Sequence, residues 1–328
     1  MASRPLLLSM GEPAGVCGEI TVAAWRARRL ENLPAFALVG DPGFLRAVSD
    51  VPIVEIGSPA EAAARFDSAL PVLPLSGTVN ASAGSPDRRD APLVVESIER
   101  AVAACMSGEA SGIVTNPINK ALLYEAGFRH PGHTEFIAEL SGADLPVMMI
   151  AGPSLRVVPA TIHLPLSAVP AALSTDGLVA VGRIVLNALE QDFGCRPPRV
   201  AFAGLNPHAG EGGALGQEDD SIIRPAVDQL RQEGHDVVGP LPADTMFHAS
   251  ARARYDAAIC MYHDQALVPV KTLDFDLGVN VTLGLPIVRT SPDHGTAFDI
   301  AGKGIARADS LIQAIRLAGE IADRRAAP

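Results

Sequence analysis

The stretch VAFAGLNPH (200–208) is an apolar, strand-like run that ends in His208. The same pattern recurs in VVPATIH (157–163), which ends in His163, and in AAICMYH (257–263), which ends in His263. In α/β sheets ligands bind beyond the carboxyl ends of strands, so residues at these positions face one crevice. Three neutral imidazoles that meet there form an open divalent-metal site. A single histidine after a strand is usually a hydrogen-bonded loop or core residue, so the metal prediction rests on the repetition.

Strand-like runs alternate with helix-like segments along the chain, which predicts an α/β fold with largely parallel strands. The predicted strands are 5–10, 35–40, 112–115, 147–151, 156–162, 199–203, 257–262 and 279–283. Helices are predicted at 94–107, from Ser174 to near Gly194, and at 221–234. The segment 70–92, rich in Pro, Ser and Gly, is predicted to be a surface loop, and 127–132 is the candidate domain boundary.

Composition narrows the class of protein. A chain of 328 residues is long enough for two domains or one large one. The net charge of −11 argues against a nucleic-acid partner, which needs clustered cations, and the 4% aromatic content disfavours base stacking. No apolar stretch approaches the ~18–20 residues of a membrane span, and the short apolar N-terminal run predicts a first strand, not a signal peptide. Four cysteines without a CxxC pair indicate reduced thiols of a cytosolic protein.

Two polar motifs are candidate anion sites. GEPAGVCG (11–18) follows the first strand and opens a helix, which suits backbone donors at a helix N-terminus, although glycines needed for a tight turn explain it equally well. In GHTE (132–135), His133 and Thr134 are candidates to bind a phosphate or a carboxylate. The alternative is that Thr134 caps a helix beginning at Glu135.

Other polar residues occur in apolar or glycine-rich surroundings. Lys271, Asn280 and Arg289 lie in VPVKTL, VNVTL and LPIVRT, which predicts either a cationic pocket for anions or a buried structural ion pair. Asp264 is a candidate hydrogen-bond acceptor for the neighbouring His263. DHGTAFDIAGKGIA (293–306) is a glycine-rich loop that leads into a C-terminal helix. The histidines without such context are predicted to lie at the surface: His130, His235 and His248.

Eight motifs together resemble the 4-hydroxythreonine-4-phosphate dehydrogenase (PdxA) family of vitamin B6 synthesis. They are GEPAG (11–15), GHTEF (132–136), TIHLPL (161–166), LNPHAGEGG (205–213), GPLPADT (239–245), MYHDQ (261–265), VNVTLGLP (279–286) and RTSPDHGTA (289–297). Each motif alone is weakly specific, but eight in the family's order cover most of the chain. The stretch 293–306 also resembles the adenosine-side loop of isopropylmalate and isocitrate dehydrogenases.

The resemblance implies an isocitrate/isopropylmalate dehydrogenase-like fold, with two α/β domains and a cleft between them. The first domain is expected at 1–128 plus 296–328, and the second, with most metal and substrate residues, at 129–295. The family's metal ligands match the three strand-end histidines, His163, His208 and His263. Its substrate contacts match His133, Thr134, Lys271, Asn280 and Arg289. Cofactor contacts are expected at Asp293, His294 and Gly295, and no catalytic base is assigned.

The implied activity is a metal-dependent oxidation of 4-phosphooxy-L-threonine by NAD or NADP. The product, 2-amino-3-oxo-4-phosphooxybutanoate, decarboxylates to 3-amino-2-oxopropyl phosphate in pyridoxal phosphate biosynthesis. One divalent ion per site is expected, either zinc, magnesium, cobalt or manganese. The protein is expected to be a cytoplasmic homodimer with its site at the subunit interface and with no nucleic-acid or membrane partner.

Three departures from the family leave related substrates open. Cys17 stands where proline is common, Ala266 where glycine is usual, and TNPINK (115–120) varies a segment that often carries a histidine. The alternatives are 4-phosphothreonate, 4-phosphoerythronate or, more distantly, a cyclohexadiene diol dicarboxylate. A tri-histidine metal hydrolase or phosphate-transferring enzyme and a non-catalytic ligand sensor are the alternatives of other classes. The glycine-rich DHGTA loop and the lack of an evident carboxylate base near the histidines count against the hydrolase.

Overall fold

The computed structural model describes residues 4–130 and 132–327, and the contacts within it divide the chain into two compact units. Unit 1 comprises Met1–Pro146 and Leu285–Asp323, and unit 2 comprises Val147–Gly284 and Arg324–Pro328. The helix His133–Ser141 belongs to unit 1 by these contacts, because its Phe136 and Ile137 pack into the same core as Ile98. The sequence-based division at 128/129 and 295/296 stays a prediction.

Short strands and helices alternate throughout, and the α/β class is confirmed. The strands are β1 Leu6–Ser9, β2 Phe36–Gly40, β3 Ile53–Glu55, β4 Leu70–Pro74, β5 Gly112–Thr115, β6 Val147–Ala151, β7 Arg156–Pro159, β8 Arg199–Ala203, β9 Asp236–Leu241, β10 Ala257–Cys260, β11 Val279–Leu283 and β12 Arg289–Pro292. The α-helices are α1 Cys17–Ala27, α2 Pro42–Val48, α3 Ala62–Arg65, α4 Ala91–Met106, α5 Lys120–Glu125, α6 His133–Ser141, α7 Val169–Ala172, α8 Thr175–Gln191, α9 Arg224–Gln232, α10 Ala243–Met246, α11 Ala249–Arg252, α12 His263–Asp274 and α13 Asp309–Ala326.

Unit 1 is built on parallel strands in the order β3-β4-β2-β1-β5-β12. The apolar run LLLS at the N-terminus forms β1, which is fully buried between β2 and β5, so the prediction of a first strand is confirmed. Parallel sheets are covered on both faces, which explains why their strands are uniformly apolar. The carboxyl ends of these strands therefore meet at one edge, where the GEPAG turn and Thr115 lie.

Unit 2 contains strands in the order β11-β6-β7-β10-β8-β9. Strands β7, β10, β8 and β9 are parallel to one another, whereas β6 runs antiparallel to both β11 and β7. The predicted predominance of parallel strands is confirmed. The strands that precede His163, His208 and His263 are β7, β8 and β10, so the carboxyl ends of three adjacent parallel strands lead to the three histidines.

Some local predictions were wrong. The segment 70–92 is not a loop throughout, because β4 lies between β2 and β3 with Leu70 and Val72 fully buried; its two prolines hid the strand. The helix predicted at 221–234 begins instead with a π-helical turn, Asp219–Ile223, and continues as α9. The strands predicted at 156–162 and 257–262 end earlier, at Pro159 and Cys260, because the chain turns there toward the histidines.

Helices α4 and α8 agree with the pattern of apolar residues. Ser174 caps α8 by accepting a hydrogen bond from the backbone N–H of Gly177, and Gly108 and Gly194 follow α4 and α8 with φ of 76° and 70°. Among the residues the structure describes, no single helix has the length and apolarity to cross a membrane. One bent pair, Leu166–Ala172 with Thr175–Gln191, meets that criterion by length and composition alone.

Candidate functional site

Two of the three predicted metal ligands face each other in unit 2. His163 follows β7 and His263 is the first residue of α12, directly after β10. Because β7 and β10 are adjacent parallel strands, the segments that leave their carboxyl ends run side by side, and the two imidazole ring centres are 6.1 Å apart. His163 is solvent-exposed and has a φ of 53°. A non-glycine residue in this left-handed region is strained, which is a common property of functional positions.

The pair has the chemistry of a metal site. Nδ1 of His263 lies 2.7 Å from Oδ1 of Asp264, so the predicted acceptor is confirmed. Because a carboxylate only accepts hydrogen bonds, Nδ1 carries the proton and Nε2 keeps its lone pair for a ligand. Two imidazoles that bind one ion at about 2.0–2.1 Å have ring centres roughly 5–6 Å apart. The observed spacing is close to this range, so the two residues fit a shared divalent ion.

His208 lies in a loop with an unusual backbone. His208, Ala209 and Glu211 all have positive φ values, between 44° and 53°, and the intervening Gly210 and Gly212 are also left-handed. Each such non-glycine residue costs roughly 1–2 kcal/mol, so the surrounding structure must hold the loop in place. Nothing in the glycine-rich sequence LNPHAGEGG alone identified that strain.

A buried carboxylate anchors the His208 loop. Asp219, which is fully buried, accepts hydrogen bonds from the backbone N–H of Leu205 (2.9 Å) and of Asn206 (3.1 Å) and from Nδ2 of Asn206 (2.9 Å). Gln265 on α12 donates to the carbonyl of Gly204 (2.7 Å) and accepts from the N–H of Met261 (2.7 Å). Asp219 thus ties the His208 loop to the π-helical turn that precedes α9, and Gln265 ties Gly204 to the start of α12. Neither residue was predicted from the sequence.

Within the part of the chain that the structure describes, His208 does not complete a three-ligand group with the pair. Among residues 4–130 and 132–327, no group of three or more His, Cys, Asp and Glu side chains is arranged to hold a metal ion. The described residues therefore bring together His163 and His263 without a third ligand of these types. The tri-histidine site stays a prediction.

Unit 1 carries His133 and Thr134 at the start of α6. The helix begins at His133, and Gly132 is its N-cap residue without a side-chain cap. The alternative in which Thr134 caps a helix beginning at Glu135 is therefore wrong, since Thr134 is already inside the helix. Nε2 of His133 is buried and has no hydrogen-bond partner among the described residues. An orphaned polar atom of this kind indicates a missing polar partner.

Arg289 gives this part of unit 1 a buried positive charge. It begins β12, is 4% exposed, and donates from Nη2 to Oγ1 of Thr115 at 2.8 Å. Burial lowers the pKa of Arg289 to about 10, and the nearby Glu135 acts in the opposite direction. The guanidinium therefore stays charged at neutral pH. Burial also lowers the pKa of His133 well below its usual value, and Arg289 and Lys120 lower it further. A neutral imidazole beside a guanidinium is suited to bind an anion.

The two remaining predicted substrate residues belong to unit 2. Lys271 is half-buried in the last turn of α12, with Nζ 6.0 Å from the ring centre of Phe275. Asn280 lies on β11, and its Oδ1 is buried without a hydrogen-bond partner among the described residues. Their assignment as substrate contacts stays a prediction, as does that of the unit 1 residues.

The N-terminal glycine turn contacts the DHGTA loop in unit 1. The N–H of Val16 donates to the carbonyl of Thr296 at 3.0 Å, and a Cβ at Gly15 would lie 2.4 Å from that oxygen, so only glycine fits. Asp293, whose N–H donates to Oγ of Ser310 (3.1 Å), precedes the exposed His294 and Gly295 just beyond β12. Their role as cofactor contacts stays a prediction.

Glu12 in the same turn is an unpredicted ionisable group. It is buried, and burial raises its pKa, with the buried carboxylate of Asp90 adding to that effect. Asp90 in turn accepts from the N–H groups of Asn80 and Ala81. Glu12 thus lines the turn with a carboxyl group that resists ionisation.

The three histidines predicted to lie at the surface differ in environment. His248 is exposed, as predicted, and His235 is half-buried. His130 is also largely covered, because its ring packs 5.0 Å from that of Phe128 and 4.9 Å from that of Phe136. The prediction for His130 was wrong because its two aromatic partners, Phe128 before it and Phe136 on α6 after it, lie in different segments, and no single sequence pattern links them to His130.

Comparisons with known proteins agree on one family. Residues 32–318 match the family model described as pyridoxal phosphate biosynthetic protein PdxA. A 4-hydroxythreonine-4-phosphate dehydrogenase from Caulobacter vibrioides is 54% identical over 99% of both chains. The crystal structure of a 4-hydroxythreonine-4-phosphate dehydrogenase from Klebsiella pneumoniae superposes with a TM-score of 0.89 at 36% identity, covering 98% of this chain and 100% of that one. A terephthalate 1,2-cis-dihydrodiol dehydrogenase from Burkholderia xenovorans is more distant, with a TM-score of 0.67, 26% identity, and coverage of 96% of this chain and 97% of that one.

Proposed function

Because this chain belongs to the PdxA family of pyridoxal phosphate biosynthetic proteins, we propose that it is an NAD(P)- and metal-dependent 4-hydroxythreonine-4-phosphate dehydrogenase. It oxidises 4-phosphooxy-L-threonine to 2-amino-3-oxo-4-phosphooxybutanoate, which loses CO₂ to give 3-amino-2-oxopropyl phosphate. The full-length 54% identity to a protein of that name carries the proposal. It also favours this substrate over the dihydrodiol of the relative that is only 26% identical.

In this proposal His163, His208 and His263 hold one divalent ion. The 6.1 Å ring spacing of His163 and His263, and the carboxylate that fixes the His263 tautomer, support the assignment of these two. We infer that His208 reaches the ion from a second copy of the chain, since no third ligand joins the pair among the described residues. This makes the protein a homodimer whose sites each need both copies. When bound, the ion supplies Lewis acidity at the substrate hydroxyl and the nicotinamide ring accepts the hydride.

The remaining predicted residues bind the charged and polar groups of the substrate. Arg289 remains protonated at neutral pH and holds an anionic group, for which a buried guanidinium provides two parallel N–H donors. His133 stays neutral beside it, so that Nε2 is available for a hydrogen bond that does not require charge. Thr134, Lys271 and Asn280 complete the proposed substrate contacts, and Asp293, His294 and Gly295 the proposed cofactor contacts.

One experiment identifies the metal, the nucleotide and the preferred substrate. Purified protein is stripped with a chelator, reloaded in turn with zinc, magnesium, cobalt or manganese, and supplied with NAD or NADP. Formation of the reduced nicotinamide is then followed with 4-phosphooxy-L-threonine, 4-phosphothreonate, 4-phosphoerythronate and the terephthalate dihydrodiol. We expect the highest kcat/KM with 4-phosphooxy-L-threonine and none without metal. A higher kcat/KM with another of these compounds would mean that this compound, and not 4-phosphooxy-L-threonine, is the substrate. If none of them supports reduction of NAD or NADP, the proposed dehydrogenase activity is refuted.

A further inference from the structure

We propose that Lys120 is a further substrate-binding residue, which recognises the phosphate group of the substrate together with Arg289 and His133. The inference rests on the proposed function for the identity of the substrate, but its anion chemistry is carried by unit 1 alone. Lys120 was noted in the sequence only as part of the variable segment TNPINK. The proposed role in binding phosphate follows from the position of Lys120 beside the start of α6.

Lys120 lies beside the start of α6. A Cβ built on Gly132, the N-cap residue of α6, would be 3.2 Å from both Cε and Nζ of Lys120. The ammonium group therefore approaches the backbone that precedes His133, and a larger residue at position 132 would displace it. The charge is also felt at His133, whose pKa is lowered by burial, by Arg289 and by Lys120.

This placement concentrates positive charge at the start of α6. Lys120 is the first residue of α5 and lies against the N-cap of α6, and helix N-termini carry partial positive charge. Arg289 adds a buried positive charge to the same part of unit 1. The carboxylate of Glu135, in the first turn of α6, lies at the same point, because its Oε2 would be 3.4 Å from the same Cβ built on Gly132. It offsets one of the two positive charges, so the group formed by Lys120, Arg289 and Glu135 remains net positive.

A phosphate dianion accounts for the cluster. Lys120 supplies a mobile point charge and Arg289 a planar pair of donors, which is the combination that phosphate groups use. The uncapped N-terminus of α6 favours the same ligand. Nε2 of His133 is buried without a partner and is available as a neutral donor. These features belong to two helices and a strand, so they form more than a helix end.

The test compares Lys120→Gln, which removes the charge, with Lys120→Arg, which keeps it. Arg129→Gln is the matched control, because Arg129 is an exposed cation nearby in sequence that does not act on the His133 pKa. Inorganic phosphate binding to the holoenzyme is measured by calorimetry, and the His133 pKa by NMR titration. We expect Lys120→Gln to weaken phosphate binding about tenfold, as for loss of one charge-assisted hydrogen bond at an exposed site, and to raise the His133 pKa. Lys120→Arg should retain most binding, and Arg129→Gln should change neither quantity.

Steady-state kinetics complete the test. Lys120→Gln should raise KM for 4-phosphooxy-L-threonine about tenfold with kcat nearly unchanged, and should leave kcat/KM for unphosphorylated 4-hydroxythreonine unaltered. Equal losses for both compounds, or unchanged phosphate binding in Lys120→Gln, would overturn the role of Lys120. Failure of the wild type to reduce NAD would instead refute the proposed function, and the phosphate and NMR measurements would still decide the anion site.

Discussion

The His208 loop offers the sharpest structural test, through the substitution Asp219→Asn. The two oxygens of Asp219 accept from the N–H groups of Leu205 and Asn206 and from Nδ2 of Asn206, at 2.9, 3.1 and 2.9 Å. Asparagine has the same shape, but only one of its two terminal atoms is an oxygen that accepts hydrogen bonds. The other is an NH₂ group, which would face backbone or side-chain N–H donors. Loss of a hydrogen bond to a charged group costs about 1.5–3 kcal/mol. Since the amide faces two donors, we expect the free energy of unfolding to fall by about 2–4 kcal/mol.

The measurement is denaturant unfolding combined with titration of a divalent ion. Asp219→Asn should also weaken metal binding by at least about tenfold, because the left-handed loop that presents His208 loses its anchor. Asp220→Asn is the matched control: Asp220 is next in sequence and forms an exposed ion pair with Arg224, worth less than about 0.5 kcal/mol. Asp219→Asn with stability and metal affinity indistinguishable from those of Asp220→Asn would refute the anchoring role.

Three further outcomes test the rest of the account. Arg289→Lys should lower kcat/KM on the order of tenfold to a hundredfold, because the charge stays and the two-donor geometry is lost; unchanged kcat/KM would leave Arg289 a structural role. Mixing inactive His208→Ala and His263→Ala subunits should restore activity to about a quarter of wild type for random dimers, and no recovery despite subunit exchange would contradict ligands from two copies. The free energy of unfolding should fall as pH drops below about 6.5, the usual histidine pKa. The reason is that His133 binds a proton in the unfolded chain but stays neutral in the folded protein, where its pKa is lowered. The substitution His133→Asn should reduce this pH dependence, whereas the control His248→Asn should not.

Periodicity predicted the elements whose signal is local. The apolar runs that became β5, β6, β8 and β11 were predicted to the residue, because buried strands are short apolar segments whether their neighbours are parallel, as for β5 and β8, or antiparallel, as for β6 and β11. β4 was missed because Pro71 and Pro74 read as loop residues, although β2 and β3 bury the strand from both sides. The start of α9 was misplaced because the preceding segment Asp219–Ile223 forms a π-helical turn, in which Asp219 accepts hydrogen bonds from Leu205 and Asn206.

The sequence predicted those parts of the candidate site in which a histidine, a common metal ligand, directly follows the end of a strand. His163 and His263 follow adjacent parallel strands, so their proximity follows from topology once the sheet order is known. The anchoring contacts of Asp219 and the position of Lys120 beside α6 were not predictable, because each depends on how a neighbouring loop or helix folds back on the chain. Family resemblance supplied the residue roles that neither periodicity nor spacing can give.

We propose that three histidines hold the ion on which oxidation of a phosphorylated hydroxy amino acid depends. The most direct measurement is the divalent-ion content per subunit of wild type and His208→Ala, taken with NAD reduction by 4-phosphooxy-L-threonine before and after chelation. We expect about one ion per site in the wild type, loss of turnover on chelation with recovery on reloading, and loss of both ion and turnover in a folded His208→Ala. Stoichiometric ion and near-wild-type turnover in His208→Ala, or full turnover after complete removal of the metal, would contradict it.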